Sequence, residues 1–533
     1  MRKQLLAGTA FAALSVIAFQ ATAHAATIDD VMKRLDKLER ENAELRAKVN
    51  GQQAYVKRDK DGKPVVESSV VTHARPAASP VVAADRTVMG MPVKAAGALG
   101  PLIDNTTVQL YGHFDLSGDL FNPSVFDQGT KLGISSNLSY FGFRVRHNLA
   151  PYGFEGWAAV AQMEAQIDVA AAPTERAALG SRDSYVGLEG PWGAIKAGKS
   201  QTPYKLATAS MDPFSGTLGD YNSIMGNTGG DNRAEFDWRM DHAVWYESPI
   251  WNGFQFSALF SPGQNYAQDN SDFSFGDEGQ CNGASTRGSG SNFPVIALGA
   301  QGCNDGSFGN AYSAATIYRN SGFTAIAGYE LHEQTNRQGD DGTGVAGGGP
   351  IVLPDGSVVS TGIHNEWAAK LGAGYRFNDG LGDLQLNAIY EWIRRDVTPA
   401  QEPFNERSKD DIFVSATQNI GKWAVSGSYT HATSSPGNPA TLSVNTAALA
   451  PLATVQANLF GDAANQYAVG VRYHFSSWAS WYFVASELTQ GPGAHYCLGA
   501  SGHGYQVCGR DAANDTIGGA TLKAATTGLT LDF

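Results

Sequence analysis

The chain has 533 residues, 17% of them charged, 62 of them glycine, and a formal net charge of −13. That balance leaves no basic stripe to neutralise phosphates, which excludes nucleic acid as a partner. Beyond the N-terminal segment no run of about eighteen apolar residues occurs, which excludes helical membrane spans, and the length fits several soluble domains or one large β-barrel.

Arg2 and Lys3 precede an uncharged apolar run from Leu5 to Phe19, and Ala23-His24-Ala25 follows with a small-x-small pattern. Residues 1–25 therefore read as a secretory signal peptide. Ile28, Val31, Leu35, Leu38, Asn42, Leu45 and Val49 then recur at alternating three- and four-residue steps, an a/d seam that predicts a short coiled-coil helix over 27–50. In a parallel arrangement Arg34 faces Glu39 and Glu41 faces Arg46 of the neighbouring helix, and Asn42 at an a position fixes register. A lone amphipathic helix lying on its own barrel is the alternative. Residues 51–105 are rich in Ala, Val, Pro, Lys and Ser without steady periodicity, and read as a periplasmic linker.

From residue 106 to 533 the period changes to two. Val108, Leu110, Gly112, Phe114 and Leu116 interleave with Gln109, Tyr111, His113, Asp115 and Ser117, one apolar face and one polar face, as a strand between lipid and water requires. Similar segments recur at 138–149, 154–168, 181–189, 193–200, 240–248, 252–261, 310–319 and 322–331. They continue at 365–377, 382–393, 409–419, 422–432, 465–475, 480–488 and 520–533, which makes sixteen in all. The connections alternate strictly. Short ones such as Pro151-Tyr152-Gly153, Gly190-Pro191-Trp192 and Ile420-Gly421 separate long ones at 117–137, 169–180, 201–239, 262–309, 332–364, 394–408, 433–464 and 489–519. The pattern predicts an all-β fold: a sixteen-stranded antiparallel transmembrane β-barrel with short periplasmic turns and long external loops. Trp192, Trp251, Trp423, Trp478 and Trp481 lie in or beside short turns, as an aromatic girdle at one interface would place them.

By parity Arg144, Arg146, Lys196, Lys370, Arg376 and Arg472 point into the lumen, as do Asp115, Glu164 and Glu247. Water makes charge affordable there, whereas on the lipid face it would cost several kcal/mol. The third long loop, about 201–239, carries Asp212, Asp220, Asp231, Glu235 and Asp237. Folded inward, these carboxylates would face the basic wall and set a transverse field that selects among solutes. A merely solvated wall is the alternative for any one of these residues.

The run from Ser181 to Lys199, with Asp212-Pro213-Phe214, Asp241 to Pro249, Asn252-Gly253-Phe254, Val108 to Gly112 and Tyr140 to Arg144, resembles the strands and constriction loop of general Gram-negative porins. These motifs span about 107–260, and the terminal Phe533 fits them. The resemblance implies a homotrimer of sixteen-stranded barrels in the outer membrane, in contact with lipid and lipopolysaccharide. It also implies an inward third loop and passive diffusion of small polar solutes and ions. Two features depart from it. Trp245 stands where the family often has a basic residue, and the N-terminal heptads resemble the extension of certain dicarboxylate-type channels, which raises a substrate-selective alternative. An outer-membrane tether and a barrel enzyme are alternatives of other classes.

Gly342 to Gly347 matches a dinucleotide fingerprint formally but lies in a Gly-rich loop. His495, Cys497, His503 and Cys508 have the composition of a zinc site, yet two local disulfides bracing exposed loops, Cys281–Cys303 and Cys497–Cys508, fit an exported chain better. No cofactor and no catalytic constellation are expected.

Overall fold

The computed structural model describes residues 105–533 apart from parts of the long loops (123–128, 171–178, 228–235, 263–307, 337–350, 353–357, 360–362, 400–401, 403–404, 406, 437–460, 500–501, 505 and 510–517). The signal-peptide, coiled-coil and linker segments, Asp231, Glu235, Cys281 and Cys303 lie outside the described residues.

Seventeen strand segments form one antiparallel sheet that closes on itself. Two of them are consecutive halves of one wall strand, so the barrel has sixteen: β1 (Thr106–Asn122), β2 (Lys131–Ser136 and Tyr140–Asn148), β3 (Ala158–Gln166), β4 (Ser184–Gly190), β5 (Gly193–Gln201), β6 (Arg239–Glu247), β7 (Phe254–Ser261) and β8 (Ala311–Asn320). The remainder are β9 (Phe323–Asn336), β10 (Ile363–Asn378), β11 (Asp383–Arg395), β12 (Lys409–Ile420), β13 (Trp423–Ala432), β14 (Ala464–His474), β15 (Ala479–Gln490) and β16 (Leu522–Asp532). Closure is made by β1, which pairs with β2 on one side and with β16 on the other, from His113↔Asp532 to Asn122↔Lys523. A closed barrel leaves no unpaired edge to hydrocarbon. The short pairing of Ile351–Val352 with Val358–Val359 decorates the β9–β10 loop.

Alternation sets the two faces. Leu110, Leu116, Leu120, Val186, Leu188, Ile195, Leu371, Val414, Val469 and Leu529 are exposed on the outside, while their polar neighbours point in. So many exposed large apolar side chains would be a liability in water and are what lipid demands. At the short-turn end aromatic rings cluster: Trp192 stacks on Tyr246 at 5.8 Å, Phe254 meets Tyr318 at 4.4 Å and Trp423 meets Tyr473 at 4.6 Å. This is the expected girdle.

Boundaries differ from the sequence expectation in three places. The first long loop shrinks, because residues 117–122 and 131–136 extend β1 and β2 as a hairpin. The first short turn lengthens to Trp157, whose carbonyl accepts from Leu149 N across the 3-10 turn Ala150–Tyr152. Period two alone cannot show where a polar hairpin stops.

The third difference is a bulge. Leu116 pairs with Ser136 and His113 with Tyr140, so Phe114 and Asp115 face the three residues Asn137, Leu138 and Ser139. The extra residue puts Leu138 at φ 46°, a strained left-handed conformation for a branched side chain. Asp115 holds the kink: its carbonyl accepts from Asn137 N and its carboxylate from the Asn137 amide and the Tyr482 hydroxyl.

Candidate functional site: the lumen and its two inward loops

Residues 202–238 between β5 and β6 form the third long loop, L3, whose described residues, 202–227 and 236–238, lie inside the barrel. A helix at its start, α1 (Pro203–Thr208), is capped by Thr202, whose hydroxyl accepts from Lys205 N, and Pro203 occupies the first turn. The loop then crosses to the wall on the far side of the lumen. Tyr204 N donates to Ser313 Oγ on β8, and the Tyr204 hydroxyl donates to Glu391 Oε1 on β11 at 2.5 Å. The Met211 carbonyl accepts from Asn387 and Ser415, the Leu218 carbonyl from Ser486 and the Asp220 carbonyl from Gln466. Phe214 packs with Ala468, Tyr482 and Val484. The wall thus answers the loop's carbonyls with side-chain donors on four strands, β11, β12, β14 and β15.

The loop carboxylates divide. Asp237 meets the wall through Lys370 Nζ at 2.9 Å, with both side chains buried, and also accepts from Asn222 and Tyr221. Burial alone would push its carboxyl up, but Lys370 and Lys205 hold it below the usual carboxylate range. Asp212 and Asp220, expected to face the basic wall, use their oxygens on their own loop. Asp212 accepts from Phe214 N and Tyr221 N, and Asp220 from Gly216 N and Asn222 N. They are turn-forming carboxylates, which is why their number alone misled.

The wall charges are arranged in pairs more than as open rings. Arg144 lies over the Tyr111 ring at 4.1 Å and donates to Gln162; Tyr111 in turn donates to Glu164. Glu164 also meets Arg182 at 2.5 Å, fully buried. Lys196 bonds Glu247 at 2.8 Å, and Trp245 donates to the other oxygen of Glu247. Arg146, near the short turns and half exposed, pairs with Glu189. Arg376 pairs with Asp383 at 2.9 Å, whereas Arg472 donates to Ser480 and lies over Tyr482. Sequence reasoning missed Arg182, Arg239, Asp183, Glu366, Glu391, Arg395, Lys409 and Asp411. Glu391 shares the inward parity of Asn387 and Ile389 and was findable; Arg182 sits in a loop and was not.

A second loop also enters. Residues 491–521 between β15 and β16 form L8, closed by the disulfide Cys497–Cys508. The expected local pairing is present, but Cys497 is fully buried and Cys508 nearly so, which corrects the expectation of an exposed braced loop. Ala494, Tyr496, Leu498 and Val507 form one apolar cluster with Leu218 and Ile224 of L3 and with Leu488 and Leu522 of the wall. Gly499 N donates to Ser223 Oγ of L3, and Lys409 on β12 donates to both the Ile224 carbonyl and the Tyr496 hydroxyl. At the β2 bulge Leu138 N donates to the Gly502 carbonyl. A Cβ added to Gly502 would stand 2.9 Å from the Gly216 backbone and 3.1 Å from the Leu138 side chain, so only glycine lets L8, L3 and the bulge meet. His503, one of the four residues with zinc-like composition, lies 3.4 Å from Asp119 on β1, and among the described residues no metal-binding cluster occurs.

A closed barrel with an apolar belt, an aromatic girdle and an inward third loop is a transmembrane β-barrel of the porin type. The family profile described as Gram-negative porin matches residues 69–492, and the chain belongs to that family, which places it in the outer membrane. Among curated relatives, major outer membrane protein P.IA of Neisseria meningitidis is 32% identical over 25% of this chain and 30% of its own length. Chitoporin of Vibrio furnissii is 27% identical over 32% of this chain and 47% of its own length. The matches thus span less than half of these relatives. Among solved structures, the anion-selective porin from Comamonas acidovorans superposes with a TM-score of 0.53 at 15% identity, covering 80% of this chain and all of the other, which shows the fold.

Proposed function

We propose that the barrel is a water-filled channel for passive diffusion of small polar solutes and ions, its bore set by L3 and L8 together. The observation that carries this is L3 anchored across the lumen by side chains of β8, β11, β12, β14 and β15, a fixed constriction inside a polar interior. Arg144, Arg146, Lys196, Lys370, Arg376, Arg472, Asp115, Glu164 and Asp237 are the wall and loop charges that shape its field, and paired burial makes Lys370, Glu164 and Asp237 structural within it. The apolar belt faces lipid and, at its outer rim, lipopolysaccharide. β1 starts at the short-turn end, where Asn148 N donates to the Asn105 carbonyl, which supports reading the heptad segment as periplasmic.

The same reading includes a homotrimer. The seven residues of β4, at about 3.3 Å each and a tilt of about 40°, rise only about 18 Å, less than an apolar band of about 25 Å. By contrast β10 has sixteen residues. The outer face of the low wall carries small and apolar residues, Ala161 paired with Val186 and Leu188 with Ile195, which suits close packing against a neighbouring barrel. Swelling of proteoliposomes in small sugars tests the channel. Swelling is expected, and its absence would favour a tether or a barrel enzyme.

A further inference from the structure

A cavity of about 270 Å3 lies between L3 and the wall from β10 to β15, on the short-turn side of the loop. Its wall is a cross-strand row. Arg376 pairs with Gln385, Gln385 with Thr417 and Thr417 with Ser426, each directly opposite the next. The row nearer the turns adds Asn419 and, through Ala424, Arg472. Its roof is apolar and belongs to L3: Met211, Pro213 and Phe214. The row ends at Gly470, where an added Cβ would stand 2.8 Å from the Phe214 ring, so the missing side chain seats the roof.

The chemistry of this lining is specific. Arg472 makes no salt bridge with a carboxylate among the described residues: it donates to the Ser480 hydroxyl and lies over the Tyr482 ring, and Asp115, which accepts from the Tyr482 hydroxyl, is the carboxylate within its electrostatic reach. A guanidinium that no carboxylate salt-bridges directly, opening on a cavity, is suited to bidentate capture of one. Thr417 and Ser426 bond each other, Gln385 donates to Asn387 and Asn419 to the Asp383 carbonyl, and the donor and acceptor capacity each keeps beyond these bonds lies along the wall as the complement of a chain or ring of hydroxyls. The apolar roof covers the C–H face of such a solute, the usual division of labour in a small-molecule site.

We propose that this cavity is a subsite for small hydroxylated carboxylates, sugar acids by chemical class, with Arg472 taking the carboxylate and the Gln385–Thr417–Ser426 row the hydroxyls. It rests on the channel reading and lies away from Arg144, Arg146 and Lys196 on β2 and β5. The test is block of single-channel current through the full-length protein by glucuronate, with glucose and acetate as probes of the two halves of the site. Saturable block by glucuronate, at least about tenfold tighter than by either other solute, is expected, and Arg472→Gln and Thr417→Val should each weaken it, the former by about tenfold or more. If the wild-type channel conducts yet glucuronate blocks no better than acetate or glucose, the subsite is refuted while the channel stands. Unchanged block in both variants would also overturn it. Absence of any conductance would instead refute the channel reading beneath it.

Discussion

Glu391 grips both limbs of L3: its Oε1 accepts from the Tyr204 hydroxyl at 2.5 Å and its Oε2 from Gly226 N at 2.7 Å. One carboxylate on β11 therefore clamps the start of the loop and a point more than twenty residues later. Glu391→Gln supplies an acceptor for one limb only and leaves a buried amide facing a donor, which costs about 1–3 kcal/mol. Open-channel current noise should rise and L3 should become sensitive to protease. Noise and protection equal to wild type would show that the clamp is dispensable.

Lys370 and Asp237 form a buried pair, and Lys370 also sits 3.8 Å from the Tyr204 ring centroid. Lys370→Met leaves the carboxylate uncompensated and should cost about 3–5 kcal/mol of loop stability, with Asp237→Asn in the same chain recovering part of it. The pH dependence has a fixed sign. Because the Asp237 carboxyl titrates below its ordinary value in the folded loop, its contribution is present above the ordinary carboxylate range and is lost as pH falls through the folded value. Conductance followed on acidification should therefore hold until below about pH 4 and then change. In Lys370→Met the change should move to higher pH. A transition at the same pH in both proteins would contradict the assignment.

Cys497 and Cys508 close L8 over a sequence separation of 11 residues, and the closed loop rests on Leu218 and Ile224 of L3. Breaking that bond, by Cys497→Ser with Cys508→Ser or by reductant, should cost L8 about 2–4 kcal/mol and withdraw support from L3. A larger and noisier unitary conductance is expected from the double variant. Identical conductance in oxidised and reduced protein would mean that L8 does not define the bore.

The low wall makes its own prediction. A lysine at Leu188, exposed on the outer face of β4, would put charge in the proposed subunit contact. Leu188→Lys should convert a trimer band to monomer on non-denaturing gels while β-sheet circular dichroism persists. A trimer of undiminished stability would place the contact elsewhere.

Much of the barrel was legible because its physics is periodic. Leu110, Phe114 and Leu116 had to face one solvent, and Asp115 and Ser117 the other, so alternation located each of the sixteen strands. What alternation cannot carry is where a loop goes. L3 and L8 enter the lumen through contacts between residues far apart in the chain, such as Gly226 with Glu391, 165 positions away, and Gly499 with Ser223, 276 positions away. Asp212 and Asp220 look like a field-setting pair in one dimension and prove to be turn ligands in three. Leu138 marks the bulge by a backbone angle that no residue type in the sequence announces.

The central claim is that this barrel is an open channel narrowed by L3 and L8, and unitary current in a planar bilayer tests it most directly. Insertion of the purified full-length protein should give ohmic current that closes in three equal steps, with a larger step after the Cys497–Cys508 bond is removed. A protein that inserts into the bilayer and carries no current, before or after that bond is removed, would contradict the account.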